Sequence, residues 1–411
     1  MKASHLGKVI EYFDPMQSLD EYHKDWYVDR PDNPNEEMKV LLLNDPSPLK
    51  MLFSGHIGSG KSSSLNCLAA CPEIKARFFV VQFSVEKDLN IIDLTYTDLL
   101  LAIGKRLFDA GEEAFGLQDR LKSDLEQWQS EVHQVTTTSA SADLAARGKI
   151  GAWFLSVVGT LKTGFSEKRE FRQKFEPRVP ELVEFINRIV RGIETSENAG
   201  GKKVLLVIED LDKPPVDVSM DLFLSKGAVI IQPVCKIIFT VPTSVLYSGQ
   251  IKVVQQNFPT QCVLPSFKVR DRNGDQGDGW EPMHEIVRRR LDKELIADDA
   301  LNQAVEMSGG VTRELVRIIR AAALRSLVTR ANSIHREHVD QAVNAMRSEY
   351  SDSLTRQEQL EILRAVHKSK KLLWNDQIPM LDLMHNLMIL KYPNGPGWYE
   401  VNPIVRQLIG V

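Results

Sequence analysis

Cysteine is scarce in this sequence. The chain of 411 residues has four, at positions 67, 71, 235 and 262, and neither their number nor their spacing suggests a disulfide framework. Cys67 and Cys71 lie one helical turn apart, but no histidine or cysteine partner stands at the spacing of a zinc site. The scarcity therefore excludes a disulfide-rich protein and argues against a structural zinc centre.

The chain also lacks a long hydrophobic run and an excess of one charge. Its longest apolar candidates, residues 150–161 and 228–241, are too short for a membrane span and contain polar residues. Residues 1–30 have no apolar signal core. With 51 basic and 55 acidic side chains the net charge is −4, which excludes a chain that is basic throughout. We expect a cytoplasmic protein of two or three domains that does not contact a membrane.

One motif is complete. Residues 55–62 match the phosphate-binding loop pattern G-x-x-x-x-G-K-[ST], between an apolar run and a helix-like stretch. Its glycines let backbone N–H groups converge on phosphate oxygens, and the positive end of the next helix adds to the attraction. Lys61 can reach the β- and γ-phosphates, and the Ser62 hydroxyl can ligate Mg²⁺. The predicted nucleotide-binding residues are Gly55, His56, Ile57, Gly58, Ser59, Gly60, Lys61, Ser62 and Ser63.

Short apolar runs alternate with helical patterns in the first two thirds of the chain. Residues 204–208 are apolar at every position, which is typical of a strand buried on both faces. Strands separated by helical stretches predict a parallel sheet sandwiched by helices, an α/β fold of the P-loop NTPase type. The predicted strands are 50–54, 77–83, 204–208, 236–241 and 261–264.

Acidic residues follow the third of these strands. Glu209, Asp210 and Asp212 come directly after it, and parallel sheets bind ligands at the carboxyl ends of their strands. A phosphate loop supplies one Mg²⁺ ligand, so one carboxylate is still needed for the metal and one to orient the attacking water. Solvated turn residues are the alternative, and for Asp212 a structural or capping role is as well supported as a catalytic one.

The last third of the chain is mainly helical. Residues 311–327 carry apolar side chains at amphipathic spacing among arginines, and further helices are predicted at 356–367 and 378–390. Strands at 389–392 and 398–401 flank a turn rich in Pro, Asn and Gly, which predicts a hairpin. Helices followed by a short hairpin suggest a winged helix.

Three segments together resemble the AAA+ and STAND classes of ATPases. They are the phosphate loop, the acidic strand end at 205–213 and the Gly-Gly-Val-Thr-Arg-Glu-Leu run at 309–315. Within these classes the sequence looks most similar to origin-recognition-type initiators and KAP-like signalling ATPases. The resemblance implies an ATPase core, a helical lid and a winged-helix domain, in that order, with ATP and Mg²⁺ as cofactors.

The resemblance also implies the domain bounds. The stretch between Lys61 and Glu209 is longer than a minimal core of this type needs, so residues 110–175 are predicted to be an insertion. A partner-binding surface and a disordered loop are both compatible with it, and its residues 136–142 are rich in Thr, Ser and Ala. The predicted parts are an N-terminal segment (1–40), the core (41–268), the lid (269–350) and a winged-helix-like domain (351–411).

In the resemblance, Glu209 takes the metal-associated position, where Asp is usual. Asp210 takes the water-activating position, where Glu is usual, and this inversion predicts slow turnover. Mg²⁺ is accordingly assigned to Ser62 and Glu209, and the phosphates to Lys61. Asp212 is a candidate helper of Asp210.

Two further residues are assigned to the γ-phosphate by the same resemblance. Thr240, at the end of its strand, would sense it, with Thr243 and Ser244 as rivals; the alternative is a threonine chosen for strand propensity. Arg313 would reach it from the lid, because a guanidinium can follow phosphate charge. The alternative for Arg313 is a salt bridge with Glu314 or another neighbour.

Other assignments stay open at this stage. Residues 27–30, Tyr-Val-Asp-Arg, are a candidate adenine-side loop. A finger arginine, which would act on the nucleotide of a second copy, has no single candidate, and solvated side chains are the alternative for all of the set. The set comprises Arg270, Arg272, Arg288, Arg289 and Arg290.

These residues predict an ATP-binding and ATP-hydrolysing switch that forms homo-oligomers and regulates a partner protein or effector, in prokaryotic signalling or defence. The first alternative is an initiator or loader that binds DNA through the winged helix. Residues 355–411 have seven basic and five acidic side chains, a small excess for DNA binding, and 367–371 is their most basic patch. The second alternative is a nucleotide-binding scaffold without turnover.

Overall fold

The computed structural model describes eleven segments of the chain, and all statements below concern these residues. Most of the predicted insertion 110–175, including 136–142, lies outside them. The described segments are residues 2–19, 21–30, 32–117, 119, 121–124, 126–128, 157–159, 161–162, 165–372, 377–392 and 397–410.

A parallel sheet of five strands lies at the centre of the molecule. Its strands are β1 (Lys50–Ser54), β2 (Phe78–Ser84), β3 (Lys203–Glu209), β4 (Lys236–Val241) and β5 (Thr260–Val263). Their order across the sheet is β2–β3–β4–β1–β5. The phosphate-loop strand β1 therefore lies between β4 and β5, with Lys50 opposite Ile237 and Met51 opposite Thr260. The predicted P-loop NTPase sheet is confirmed, and no predicted strand is displaced by more than one residue.

Two hydrophobic clusters cover the faces of this sheet, because alternate residues of a strand point to opposite sides. Leu206 and Ile208 of β3 belong to one cluster, and Leu205 and Val207 belong to the other. This is why the run reads as apolar at every position. The core helices are Asn35–Asn44, Lys61–Ala70, Pro72–Arg77, Val85–Asp88, Tyr96–Phe115, Phe165–Phe175, Val179–Glu194, Val216–Met220, Gly227–Ile230, Thr243–Leu246 and Ile251–Asn257.

The region predicted as the lid contains four helices and packs against the start of the chain. The helix Leu6–Tyr12 packs against Thr312–Val328 in the hydrophobic cluster of the lid, and the Ala3 N–H donates to the Arg290 carbonyl over 2.8 Å. The predicted N-terminal segment is thus shared between lid and core, since Asn35–Asn44 packs on the sheet. The lid helices are Trp280–Arg288, Asp298–Met307, Thr312–Val328 and Arg336–Ser353.

The C-terminal domain consists of helices and a two-stranded antiparallel hairpin. The strands β6 (Ile389–Tyr392) and β7 (Trp398–Val401) pair as predicted, with Ile389 opposite Val401. The helix predicted at 378–390 is wrong in its last third. It ends at His385, and Leu387 has a φ of 60°, which breaks the helix before β6. The helices of the C-terminal domain are Gln357–Ser369, Ile378–His385 and Pro403–Arg406.

Within the part of the chain described, every helix is too short or too polar to cross a bilayer.

A substitution at Gly310 tests the close contact between the lid and the core. Its φ is +77°, and a Cβ there would lie 1.7 Å from the Phe267 carbonyl oxygen. Gly310→Ala should therefore lower the free energy of unfolding by more than about 3 kcal/mol in urea titrations, because left-handed strain and a backbone clash combine. Gly274→Ala is the matched control, since Gly274 has φ +95° and open space around it. It should cost only about 1–2 kcal/mol, and equal losses in both variants would contradict the clash.

Candidate functional site

The phosphate loop leaves β1 at its carboxyl end and enters the helix Lys61–Ala70. Gly58 and Gly60 have φ of 81° and 98°, a left-handed conformation that favours glycine. A Cβ on Gly58 would lie 2.5 Å from the Arg313 Cβ, so the lid touches the loop here. The two glycines thus serve both the turn of the loop and the close approach of the lid.

A cavity of about 390 Å³ opens above this loop. Lys61, Ser62 and all three predicted acids line it, together with Thr240 and Arg313. Lid and N-terminal side chains add an apolar lining, as nucleotide sites usually have. This apolar and aromatic lining includes Trp26, Val28, Phe267, Ile286 and Val316.

Lys61 makes three polar contacts within the site. Its Nζ donates to the carbonyls of Gly55 and His56 over 2.8 and 2.9 Å, and it pairs with Asp212 Oδ2 at 2.8 Å. Both side chains are buried. Burial alone would raise the pKa of Asp212, but the charge and hydrogen bond of Lys61 outweigh it and lower that pKa. Asp212 therefore holds the lysine in place.

Glu209 and Asp210 have different surroundings. Glu209 Oε1 accepts from Gln82 Nε2 over 2.7 Å. Asp210 has a positive φ of 66° and pairs with Lys213 at 2.9 Å, while the Ser84 hydroxyl donates to its other oxygen. Asp210 is thus held on both carboxylate oxygens, whereas Glu209 has one oxygen without a partner in the described structure.

Of the three candidates for the γ-phosphate sensor, Thr240 lines the cavity and Thr243 and Ser244 do not. The Thr240 hydroxyl is engaged with the backbone: it accepts from the Leu211 N–H over 3.0 Å and donates to the Ile208 carbonyl over 3.3 Å. It therefore fixes the turn that carries the acidic residues.

Arg313 starts the lid helix at the edge of the phosphate loop. Its N–H donates to the Gly58 carbonyl over 3.0 Å. The salt bridge with Glu314 that the sequence left open is not formed, because Glu314 pairs with Arg317 at 3.1 Å and accepts from the Tyr350 hydroxyl over 3.2 Å. Among the described residues the Arg313 guanidinium has no ion-pair partner, which leaves it available to phosphate.

Arg30 was missed as an individual residue. Its guanidinium donates to the carbonyls of Pro265 and Ser59 and lies 4.2 Å from the Phe267 ring centroid. Burial lowers its pKa to about 10. Arg30 thus joins the N-terminal segment, the phosphate loop and the start of the lid. Three of the four residues 27–30 line the cavity. The sequence pointed to Arg30 only as part of this candidate adenine-side loop.

The five finger candidates fall into three groups. Arg270, Arg288 and Arg289 each pair with a glutamate of the lid. Arg272 is exposed and has no ion pair within the described segments. Arg290 is buried and lines the cavity of its own chain. Arg272 is therefore the candidate that is free to reach a second copy.

His56 connects the phosphate loop to the C-terminal domain. Its Nε2 accepts the Lys391 backbone N–H over 2.8 Å, although the sequence marked His56 only as a variable position of the loop. Burial, helped by the charge of Lys61, lowers the pKa of His56 to about 3. Nearby, the Tyr392 hydroxyl donates to the Gly309 carbonyl over 2.7 Å. The C-terminal domain thus contacts both the phosphate loop and the loop that begins the lid helix.

The arrangement fits Mg²⁺ held with a nucleotide and does not fit a metal held by protein alone. No group of three or more His, Cys, Asp or Glu that could hold a metal is found in the described segments. Ser62 lines the cavity with a hydroxyl that has no hydrogen-bond partner among those residues, and Glu209 has a spare oxygen. One or two protein oxygens, completed by phosphates and water, are the usual Mg²⁺ environment at such sites.

Comparison with known proteins gives similarity of structure alone. No protein-family model matches the chain, and no curated protein matches it. Cdc6p from Pyrobaculum aerophilum is similar at 13% identity over 97% of each chain, with a TM-score of 0.44. The Aeropyrum pernix ORC2 protein, with ADPNP and ADP, is similar at 11% identity over 97% of this chain and 96% of its own, with a TM-score of 0.45.

The buried His56 predicts a specific dependence of stability on pH. The pKa of His56 falls on folding. The neutral imidazole therefore contributes to the free energy of unfolding above the unfolded pKa of about 6.5, and this contribution is lost as the pH falls toward about 3. His56→Gln keeps an acceptor near Nε2 but does not titrate. Between about pH 6 and about pH 4, wild type should lose about 1.4 kcal/mol of unfolding free energy per pH unit more than the variant. Parallel losses in urea titrations of the two proteins would contradict this.

Proposed function

We propose that the protein is an ATP-binding, Mg²⁺-dependent ATPase that works as a molecular switch. The observation that carries the proposal is that Lys61 and Ser62 of the phosphate loop share one cavity with Glu209 and Asp210 of a distant strand. Phosphate contacts and acids for metal and water are what phosphoryl transfer needs, since its catalysis consists mainly of positioning and charge stabilisation. The aromatic and aliphatic lining beside them suits a nucleobase.

Each residue has a proposed part. Lys61 exchanges its bond to Asp212 for the β- and γ-phosphates, and Ser62 with Glu209 holds Mg²⁺, which when bound would neutralise phosphate charge. Asp210 orients the attacking water, but its bonds to Lys213 and Ser84 must first loosen. That requirement supports slow turnover.

The C-terminal domain is the proposed output of the switch. It binds the phosphate loop through the hydrogen bond between His56 and Lys391. A nucleotide that moves the loop would therefore also alter the contact that holds this domain. If ATP favours the released arrangement by about 3 kcal/mol, the equilibrium shifts more than a hundredfold. A released domain would present new surface to a second copy or to a partner protein, as a signalling or defence switch requires.

The charges of the C-terminal domain favour a protein partner over DNA. His367, Lys370 and Arg406 all converge on Glu400, so one of the three lysines of the basic patch predicted at 367–371 is paired. Lys368 and Lys371 have no ion-pair partner among the described residues. Phosphate contacts dominate DNA affinity, and two lysines are a small set to make them. Salt-dependent DNA binding by the intact protein would overturn this preference. A scaffold without turnover is the remaining alternative.

Lys61→Ala tests nucleotide binding. Removal of one partner of a buried charged contact typically costs 2–5 kcal/mol, so affinity for a fluorescent ATP analogue with Mg²⁺ should fall by at least about thirtyfold, and phosphate release should be lost. Lys39→Ala is the control, because Lys39 pairs with Glu36 outside the cavity. Equal affinity of wild type and Lys61→Ala would defeat the proposal, and binding without phosphate release by wild type would favour the scaffold.

Hydrogen exchange tests the switch. The amide of Lys391 is bonded to His56, so a non-hydrolysable ATP analogue with Mg²⁺ should speed exchange in a peptide covering residues 389–392, by about tenfold or more if the released form gains about 1.4 kcal/mol. Lys61→Ala should show no such change. Unchanged exchange in nucleotide-saturated wild type would contradict the coupling, even if ATP binding itself is found.

A further inference from the structure

Arg290 follows the lid helix Trp280–Arg288, and its guanidinium has no hydrogen-bonding partner among the described residues. Its side chain is only 6% exposed, and its buried Nε has no partner. No carboxylate of the described residues pairs with it. Its neighbours Arg288 and Arg289 differ, since each pairs with a glutamate. Arg290 is therefore an exception to the rule that buried charges are paired.

The surroundings of Arg290 only partly explain its burial. The guanidinium lies 5.6 Å from the ring centroid of Phe13 and 5.5 Å from that of Trp26. Such contacts near the limit of cation–π range offset only part of the loss of hydration. Burial lowers the pKa of Arg290 to about 10, so it stays charged at neutral pH. Because Arg290 lines the cavity, the missing acceptor is best supplied by a ligand there.

The position of Arg290 indicates which part of a bound nucleotide it would contact. The phosphates are accounted for by Lys61, the loop amides and Arg313. Arg290 instead stands beside Trp26 and near Ile286, on the apolar lining of the cavity. Flat apolar surfaces with one polar group at the edge are typical of a site that takes a heteroaromatic ring.

We propose that Arg290 reads the base of the bound nucleotide by donating hydrogen bonds to acceptor atoms on the edge of a purine. A guanidinium has donors only, so it matches ring nitrogens of adenine, or the O6 and N7 of guanine, and not an exocyclic amine. This inference rests on the proposed nucleotide-binding function. It goes further by assigning the selectivity for the base to a residue outside the phosphate loop and the acidic turn.

The test compares wild type with Arg290→Met in binding titrations with Mg²⁺. The ligands are ATP, its 1-deaza, 3-deaza and 7-deaza analogues, which each lack one ring acceptor, and inorganic tripolyphosphate, which has no base. Wild type should bind at least one deaza analogue about tenfold to a hundredfold more weakly than ATP. Arg290→Met should bind ATP that weakly, and should not distinguish the same analogue from ATP. Both proteins should bind tripolyphosphate equally.

Arg288→Met is the matched control, since Arg288 is exposed, lies two residues away and pairs with Glu281. It should behave as wild type with every ligand. Without ligand, Arg290→Met should melt no lower than wild type, because it removes a charge that no acceptor satisfies. If it instead melts lower, Arg290→Lys takes its place: the lysine keeps the charge but not the planar fork, and should show the same loss of discrimination.

Three results would overturn the inference. Equal binding of ATP and all three analogues by wild type would show that no ring acceptor is read. Weaker binding of tripolyphosphate by Arg290→Met would assign the residue to the phosphates. If wild type binds neither ATP nor tripolyphosphate, the proposed function is overturned as well. This outcome is distinct from the other two because it concerns all binding by wild type.

Discussion

The buried ion pair between Lys61 and Asp212 is the contact on which the site depends. It joins the phosphate loop to the turn after β3, across two segments that are far apart in the chain, at 2.8 Å. Loss of one partner of such a pair is costly, on the order of 3–5 kcal/mol, since the other charge is left buried and alone. The pair therefore keeps loop and turn in register without a ligand. It also sets a condition on any ligand, which must offer Lys61 an anion that compensates for Asp212.

Around this pair, the neighbouring contacts mostly bind side chain to backbone. Thr240 ties its hydroxyl to the turn after β3, and Arg30 ties three backbone segments together through the carbonyls of Ser59 and Pro265 and the ring of Phe267. Gln82 donates both to Glu209 and to Asn66 of the phosphate-loop helix. Bonds of this kind fix the positions of the catalytic candidates before ligand arrives, and preorganisation is the main contribution that a protein makes to phosphoryl transfer.

The features that the sequence predicted well share a local cause. Strands buried on both faces carry continuous apolar runs. β1 and β4 have such runs at residues 51–53 and 237–239, and both were found at their observed bounds. The phosphate loop is recognised from the order of its glycines and lysine. The contacts that could not be predicted from the sequence are long-range. His56 and Lys391 are 335 positions apart, and neither residue type indicates from the sequence that the other lies beside it. The helix end at His385 was missed because Leu387 takes a left-handed conformation that glycine usually marks.

The contact of His56 gives the phosphate loop a second function besides binding. A loop that only held phosphates would have no need of a buried imidazole with a neighbour in another domain, and burial makes the charged form of this imidazole unfavourable. Because the same loop carries Lys61, a shift of the loop backbone would also move the acceptor that Lys391 uses. The lid is drawn in as well, since Arg313 bonds to Gly58 and Tyr392 bonds to Gly309. Direct hydrogen bonds therefore join the phosphate loop, the lid and the C-terminal domain to one another.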